Sequence, residues 1–134
     1  MDAGQTAGGT DAGLADGGAG NAGVWHPVSG TTWQWQLQGT IDTSVDAAMY
    51  DIDLFDAPQS TVDALHGAGR IVICYFSAGT YENWRPDASS FPASAIGNAV
   101  SGWPGEWWVD TRSAEIRSIM QARLDRAVQK KCDG

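Results

Sequence analysis

An α/β fold is predicted by three features of the sequence: strand-type alternation over residues 31–38 and 49–55, a run at 71–76 that is apolar on both faces, and helical patterns between and after these runs. Taken in order, strand, strand, helix, strand, loop, strand, helix, the chain makes each helix a crossover between parallel neighbours. The folded part begins at Val24. The first 23 residues hold eight of the 17 glycines and no Lys, Arg or aromatic residue, so 1–23 reads as a flexible Gly/Ala/Asp-rich tail or linker and 24–134 as the folded unit.

In TTWQWQLQ, Trp33, Trp35 and Leu37 alternate with glutamines, which is the period of a strand. In MYDIDLF, Tyr50, Ile52 and Leu54 share one face while Asp51, Asp53 and Phe55 share the other. Asp56 and Gln59 have capping-box spacing, with Pro58 in the first turn and Gly67 and Gly69 as stops, so a short helix is predicted there. IVICYF then reads as a central parallel strand. About thirty residues after Phe76 show little periodicity and are read as a long loop, ordered by Trp84, Phe91 and Trp103. Residues 107–110 make a fourth strand. Over 113–130 Ile116, Met120, Leu124 and Val128 recur at four-residue spacing, predicting a helix with that stripe as its core face.

The formal charge is -8, and residues 24–69 carry six aspartates without one basic residue. Such a chain lacks the Lys/Arg stripe that a nucleic-acid backbone or an anionic bilayer needs. No 18-residue apolar run is present, so no transmembrane segment is expected, and no secretory signal opens the chain. His26 and His66 lack ligand spacing, and no phosphate-binding glycine motif occurs, so neither metal nor cofactor is expected. Cys74 and Cys132 could be a disulfide or two buried thiols.

Asp51 and Asp53 point the same way on one strand with about 6.6–7 Å between Cα atoms. Paired carboxyl groups at roughly 5–9.5 Å are what glycoside hydrolysis uses, although either acid could instead pair with an arginine. Asp110 ends a strand and is followed by Arg112, placing an acid and a base at the rim where α/β folds keep their sites, or making a local ion pair. Tyr81, Glu82, Trp84, Arg85 and Asp87 crowd the long loop, mixing stacking surface with charge. Seven tryptophans in so short a chain favour a sugar ligand.

The blocks WHPVSGTTWQWQLQG, YDIDLFD, ICYFSAGTYENWRPD, GWPGEWWVDTR and IMQARLDRAVQKKCDG, in this order, resemble glycoside hydrolase family 114, the endo-alpha-1,4-polygalactosaminidases. The resemblance covers 24–134. It implies a (β/α)8 TIM barrel of which this chain holds about four strands, an extracellular or cell-surface location, and cofactor-free hydrolysis of alpha-1,4-linked galactosamine polymers. By matching motif it implies substrate-binding roles for Asp51, Asp53, Tyr75, Tyr81, Glu82, Arg85, Glu106, Trp108, Asp110 and Arg112. In the family the catalytic acids follow the CDG block and come from later strands, so within this chain only Asp53 and Asp110 stand as catalytic candidates. The 134 residues alone are expected to be inactive. They are expected to be a fragment, or a half that self-associates through open strand edges. A non-catalytic carbohydrate-binding or structural half-domain is the alternative.

Overall fold

The computed structural model describes residues 25–134, so the tail expected at 1–23 lies outside the described residues. The predicted α/β character is observed, in two small sheets and two helices. β1 (Trp33–Gln36), β2 (Met49–Asp53) and β3 (Ile71–Tyr75) form a parallel sheet in the order β1-β2-β3. α1 (Gln59–Gly67) is the crossover from β2 to β3. One face of this sheet carries Tyr50, Ile52, Val72 and Cys74, which pack with Val62 and Leu65 of α1 into the larger core. Burying such side chains fully is worth about 1.5–3 kcal/mol each. This is the main cohesion of the sheet.

The other face is open. Trp33 and Trp35 are 59% and 62% exposed, whereas the glutamine face of β1 lies on the helix-covered side. That inverts the usual assignment of apolar residues to the core. Gln36 tolerates it because Nε2 donates to the carbonyls of Gln38 and Thr40 and Oε1 accepts from Asp42 N, so its polar atoms are satisfied. Asp51 stands on the open face at the register of Trp35 and Ile73. Its Oδ1 is buried without a hydrogen-bond partner among the described residues, and burial raises its pKa. A raised carboxyl pKa contributes stability at pH below the unfolded value and loses it as pH rises through the folded one. Asp51→Asn is therefore expected to raise the thermal midpoint at pH 7 by about 4 °C, roughly 1 kcal/mol, and to leave it nearly unchanged at pH 3. An equal shift at both pH values in a melting series would contradict this account.

The fourth strand forms within one residue of the expected 107–110 but does not join the parallel sheet as expected. β4 (Thr80–Glu82), β5 (Ile96–Ala99) and β6 (Glu106–Val109) form a separate antiparallel sheet in the order β4-β6-β5. The expected loop after Phe76 thus contains two strands of three and four residues, too short to show a period. No crossover helix precedes β6, so it cannot join the first sheet as a parallel neighbour. Instead the chain returns to that sheet after α2 (Ala114–Gln129). Asp133 N donates to the Val72 carbonyl at 2.8 Å and Cys74 N to the Gly134 carbonyl at 3.0 Å, so residues 133–134 lie against the free side of β3. Cys74 and Cys132 are disulfide-bonded, with 5.9 Å between Cα atoms. Asp133 Oδ2 also accepts from Val72 N and lies 2.9 Å from His66 Nε2.

Two helical details differ from the sequence expectation. Pro58 occupies the N-cap position of α1 without a side-chain cap, and Asp56 caps nothing. Asp53 Oδ1 instead accepts from the Phe55 and Asp56 amides, turning the chain before the helix begins. In α2, Ser113 caps the N-terminus through Ile116 N, but the buried residues are Ile116, Ile119 and Arg123, while Leu124 and Val128 are 50% and 75% exposed. Each four-residue step overshoots a turn by about 40°, so three steps carry the predicted stripe roughly a third of the way around the helix. Its inner end packs with Phe91, Ala95, Tyr81 and Val109 in the second core.

Candidate functional site

A cavity of about 430 Å³ opens between the C-terminal ends of the parallel strands and one face of the antiparallel sheet. Ligands of α/β folds bind at this end of the strands. Asp53 and Tyr75 terminate β2 and β3 there. From the facing sheet, Thr80, Glu82, Glu106 and Trp108 project together, because Thr80 pairs with Trp108 and Glu82 with Glu106 across the ladder. The alternate positions Tyr81 and Trp107 face away, with ring centroids 5.5 Å apart. Gly105 permits the turn before β6: its φ is +89°, and a Cβ there would lie 2.8 Å from the Asn83 side chain.

Arg85 is the hub of the cavity wall. Its Nη1 and Nη2 donate to the two oxygens of Asp53 at 2.8 and 2.6 Å, and its Nε and Nη2 donate to Glu82 at 2.9 and 3.2 Å. All three side chains are buried. Burial disfavours the guanidinium charge, but the hydrogen bonds it donates to Asp53 and Glu82 outweigh this and hold the Arg85 pKa above its ordinary value. Asp56 stands 3.6 Å from the same guanidinium and is exposed. Burial, then the charges of Glu82 and Glu106, push the Tyr75 phenol up, so it stays protonated as a donor.

A second chain of contacts ends at Glu106. Its Oε1 accepts from Thr80 Oγ1 at 2.5 Å, and the Thr80 hydroxyl meets that of Ser77. The Ser77 carbonyl accepts from Arg123 Nη1 at 2.7 Å. Arg123, 1% exposed, also holds both oxygens of Asp87 and lies against the rings of Phe55 and Phe91. Phe55 receives three guanidinium groups, those of Arg85, Arg123 and Arg126, at 5.0–5.1 Å from its centroid. Each such contact contributes about 0.5–2 kcal/mol. Together they pin the two sheets at a seam crossed, among the described residues, by no strand ladder.

Six of the sequence candidates, Asp53, Tyr75, Glu82, Arg85, Glu106 and Trp108, line the cavity. Four do not. Tyr81 packs into the second core against Phe91. Asp51 lies on the open sheet face. Asp110 and Arg112 form a local exposed pair at 2.9 and 3.0 Å, in which the Arg112 hydrogen bonds hold the Asp110 carboxyl at about 2. Asp53 itself takes the ion-pair alternative, with both oxygens engaged. Ser77 and Thr80 were not legible as site residues; the alternation of Thr80 and Glu82 within GTYENW is the signal that could have found Thr80. Trp84 and Trp103 complete the aromatic lining, and they and Trp108 are at least half exposed. Among the described residues no group of metal-ligating side chains forms.

The family model of glycoside-hydrolase family GH114 matches residues 15–134. Among solved structures, the crystal structure of Aspergillus fumigatus Ega3 in complex with galactosamine is similar, with 55% sequence identity and a TM-score of 0.80 over 82% of this chain. The chain spans 44% of that structure's length. No curated protein matches.

Proposed function

Because the chain belongs to glycoside-hydrolase family GH114, we propose that its cavity is part of the substrate cleft of an endo-alpha-1,4-polygalactosaminidase and binds polymers of galactosamine. The observation that carries this reading is the composition of the wall among the described residues: Asp53, Asp56, Glu82 and Glu106 against one cation, Arg85, beside three exposed tryptophans. Aromatic faces suit the C–H surface of a pyranose, and an acid excess suits a sugar bearing an ammonium group. The galactosamine complex of the Aspergillus relative supports the same ligand class.

Within the hydrolysis reaction, one carboxyl group protonates the leaving oxygen and a second attacks carbon or activates water. Asp53 suits neither role, since the bidentate Arg85 pair occupies both its oxygens; it orients Arg85 and the turn before α1. Asp110 lies outside the cavity. On this reading the residues of this chain bind and position substrate, and the reacting carboxyls are assigned to the part of the family fold that the chain, spanning 44% of the Aspergillus relative, does not cover. The open, tryptophan-bearing face of the parallel sheet supports a partial barrel whose remaining strands, or a second copy, would cover it. A disulfide between Cys74 and Cys132 supports an extracellular setting.

Calorimetric titration of the 134-residue chain with an alpha-1,4-galactosamine oligosaccharide tests this. Binding is expected, weakened about tenfold by Trp103→Ala, roughly 1.4 kcal/mol, with no release of reducing ends. Turnover by the chain alone would refute the assignment of catalysis to the uncovered part of the family fold, and absence of binding would refute the sugar site.

A further inference from the structure

We propose that Glu106 is the specificity-determining residue of the cavity, discriminating a charged amino sugar from neutral sugars through an ammonium–carboxylate contact. The inference rests on the sugar-binding reading above and adds to it the group that recognises the charge. Four carboxylates border the cavity, and they are not equivalent. Asp53 and Glu82 spend their oxygens on Arg85, and Asp56, with its side chain 71% exposed, sits outside that cluster within 3.6 Å of the same cation. Glu106 alone has no cation beside it among the described residues.

Its placement is nevertheless fixed. Thr80 has one hydroxyl proton and gives it to Glu106 Oε1, so the Ser77 hydroxyl must donate to Thr80. In this direction Glu106 Oε1 is the terminal acceptor of the relay. The far end of the relay is anchored by Arg123 on the Ser77 carbonyl, deep in the protein. The Glu106 amide donates to the Trp103 carbonyl at 3.2 Å, which fixes the turn carrying Trp103 to the same strand. Oε2 makes no hydrogen bond to any described residue, leaving one acceptor oxygen for a ligand in the cavity that Trp103 and Trp108 also line. A neutral hydroxyl at the same sugar position could accept or donate one hydrogen bond there, but only an ammonium adds charge, and charge-assisted bonds are roughly twice as strong.

The test compares galactosamine, N-acetylgalactosamine and galactose as ligands of the full 134-residue chain by calorimetry. The wild type is expected to prefer galactosamine about tenfold over the other two at pH 6 and to lose that preference above about pH 8, where a sugar amine gives up its proton. Glu106→Gln, which retains an acceptor for Thr80, is expected to bring the three affinities within about twofold of one another while leaving the thermal midpoint nearly unchanged. Thr80→Val, which keeps the charge but frees the side chain, is expected to give an intermediate preference. Retention of the tenfold preference in Glu106→Gln, or its loss in Asp56→Asn instead, would overturn the proposal. Galactose binding without discrimination in the wild type would overturn it too while sparing the sugar site, and binding of none of the three would remove both.

Discussion

Arg85→Met is expected to be the most damaging single substitution in the molecule, lowering stability by about 3–5 kcal/mol. The loss is not that of an attractive pair alone. Asp53 and Glu82 are 3% and 5% exposed, so removing the guanidinium strands two carboxylates away from water. Asp53 would keep the Phe55 and Asp56 amides as donors, while Glu82 would lose both of its bonds to Arg85. Protonation relieves stranded carboxylates, so the deficit should be largest at neutral pH and shrink toward pH 4. Chemical denaturation at the two pH values checks the sign. In a background of Asp53→Asn and Glu82→Gln the same substitution should cost less than half as much, because the charges it abandons are gone. Equal costs in the two backgrounds would mean that Arg85 acts through packing on Phe55.

The second large effect is expected at the disulfide. Cys74 and Cys132 are 58 residues apart, and closing a loop of that length restricts the unfolded chain by about 4 kcal/mol. The double replacement Cys74→Ser with Cys132→Ser, or reduction of the wild type, should lower the denaturant midpoint accordingly. The effect should also have a location. The backbone of residues 133–134 bonds Val72 and Cys74 of β3, so the amides of these two residues should exchange faster in the reduced protein while those inside α1 keep their relative protection. A midpoint insensitive to reductant would contradict the expectation.

The parallel sheet was legible because β2 writes both of its faces plainly: Tyr50 and Ile52 for the core, Asp51 and Asp53 for the other side. β1 was legible as a strand but not in its orientation. Period-two alternation predicts a strand but not which face is covered, and Trp33 and Trp35 prove to be the exposed ones. The antiparallel sheet was hidden because three- and four-residue strands between glycines and prolines carry too few positions for a period. The four-residue stripe of α2 identified the helix and misplaced its buried face, since Arg123 is not counted as apolar although aromatic rings and Asp87 bury it. In the site, side chains of strong chemistry such as Arg85 and Glu106 were found from motif and charge. The hydroxyls of Ser77 and Thr80 gain meaning only from their neighbours, and no sequence window contains Arg123, Ser77 and Glu106 together.

The seam between the sheets turns the cavity into a point of thermodynamic linkage. One wall belongs to the ends of β2 and β3 and the other to β4 and β6, and side chains rather than a ladder hold them together. Under the proposed role, a ligand that spanned Tyr75 on one side and Trp108 on the other would act as an additional fastener across the seam. At a hundredfold excess over its dissociation constant such a ligand adds about 2.7 kcal/mol to the folded state. The rise in melting temperature with ligand concentration then reports the affinity of the assembled pair of sheets for the ligand.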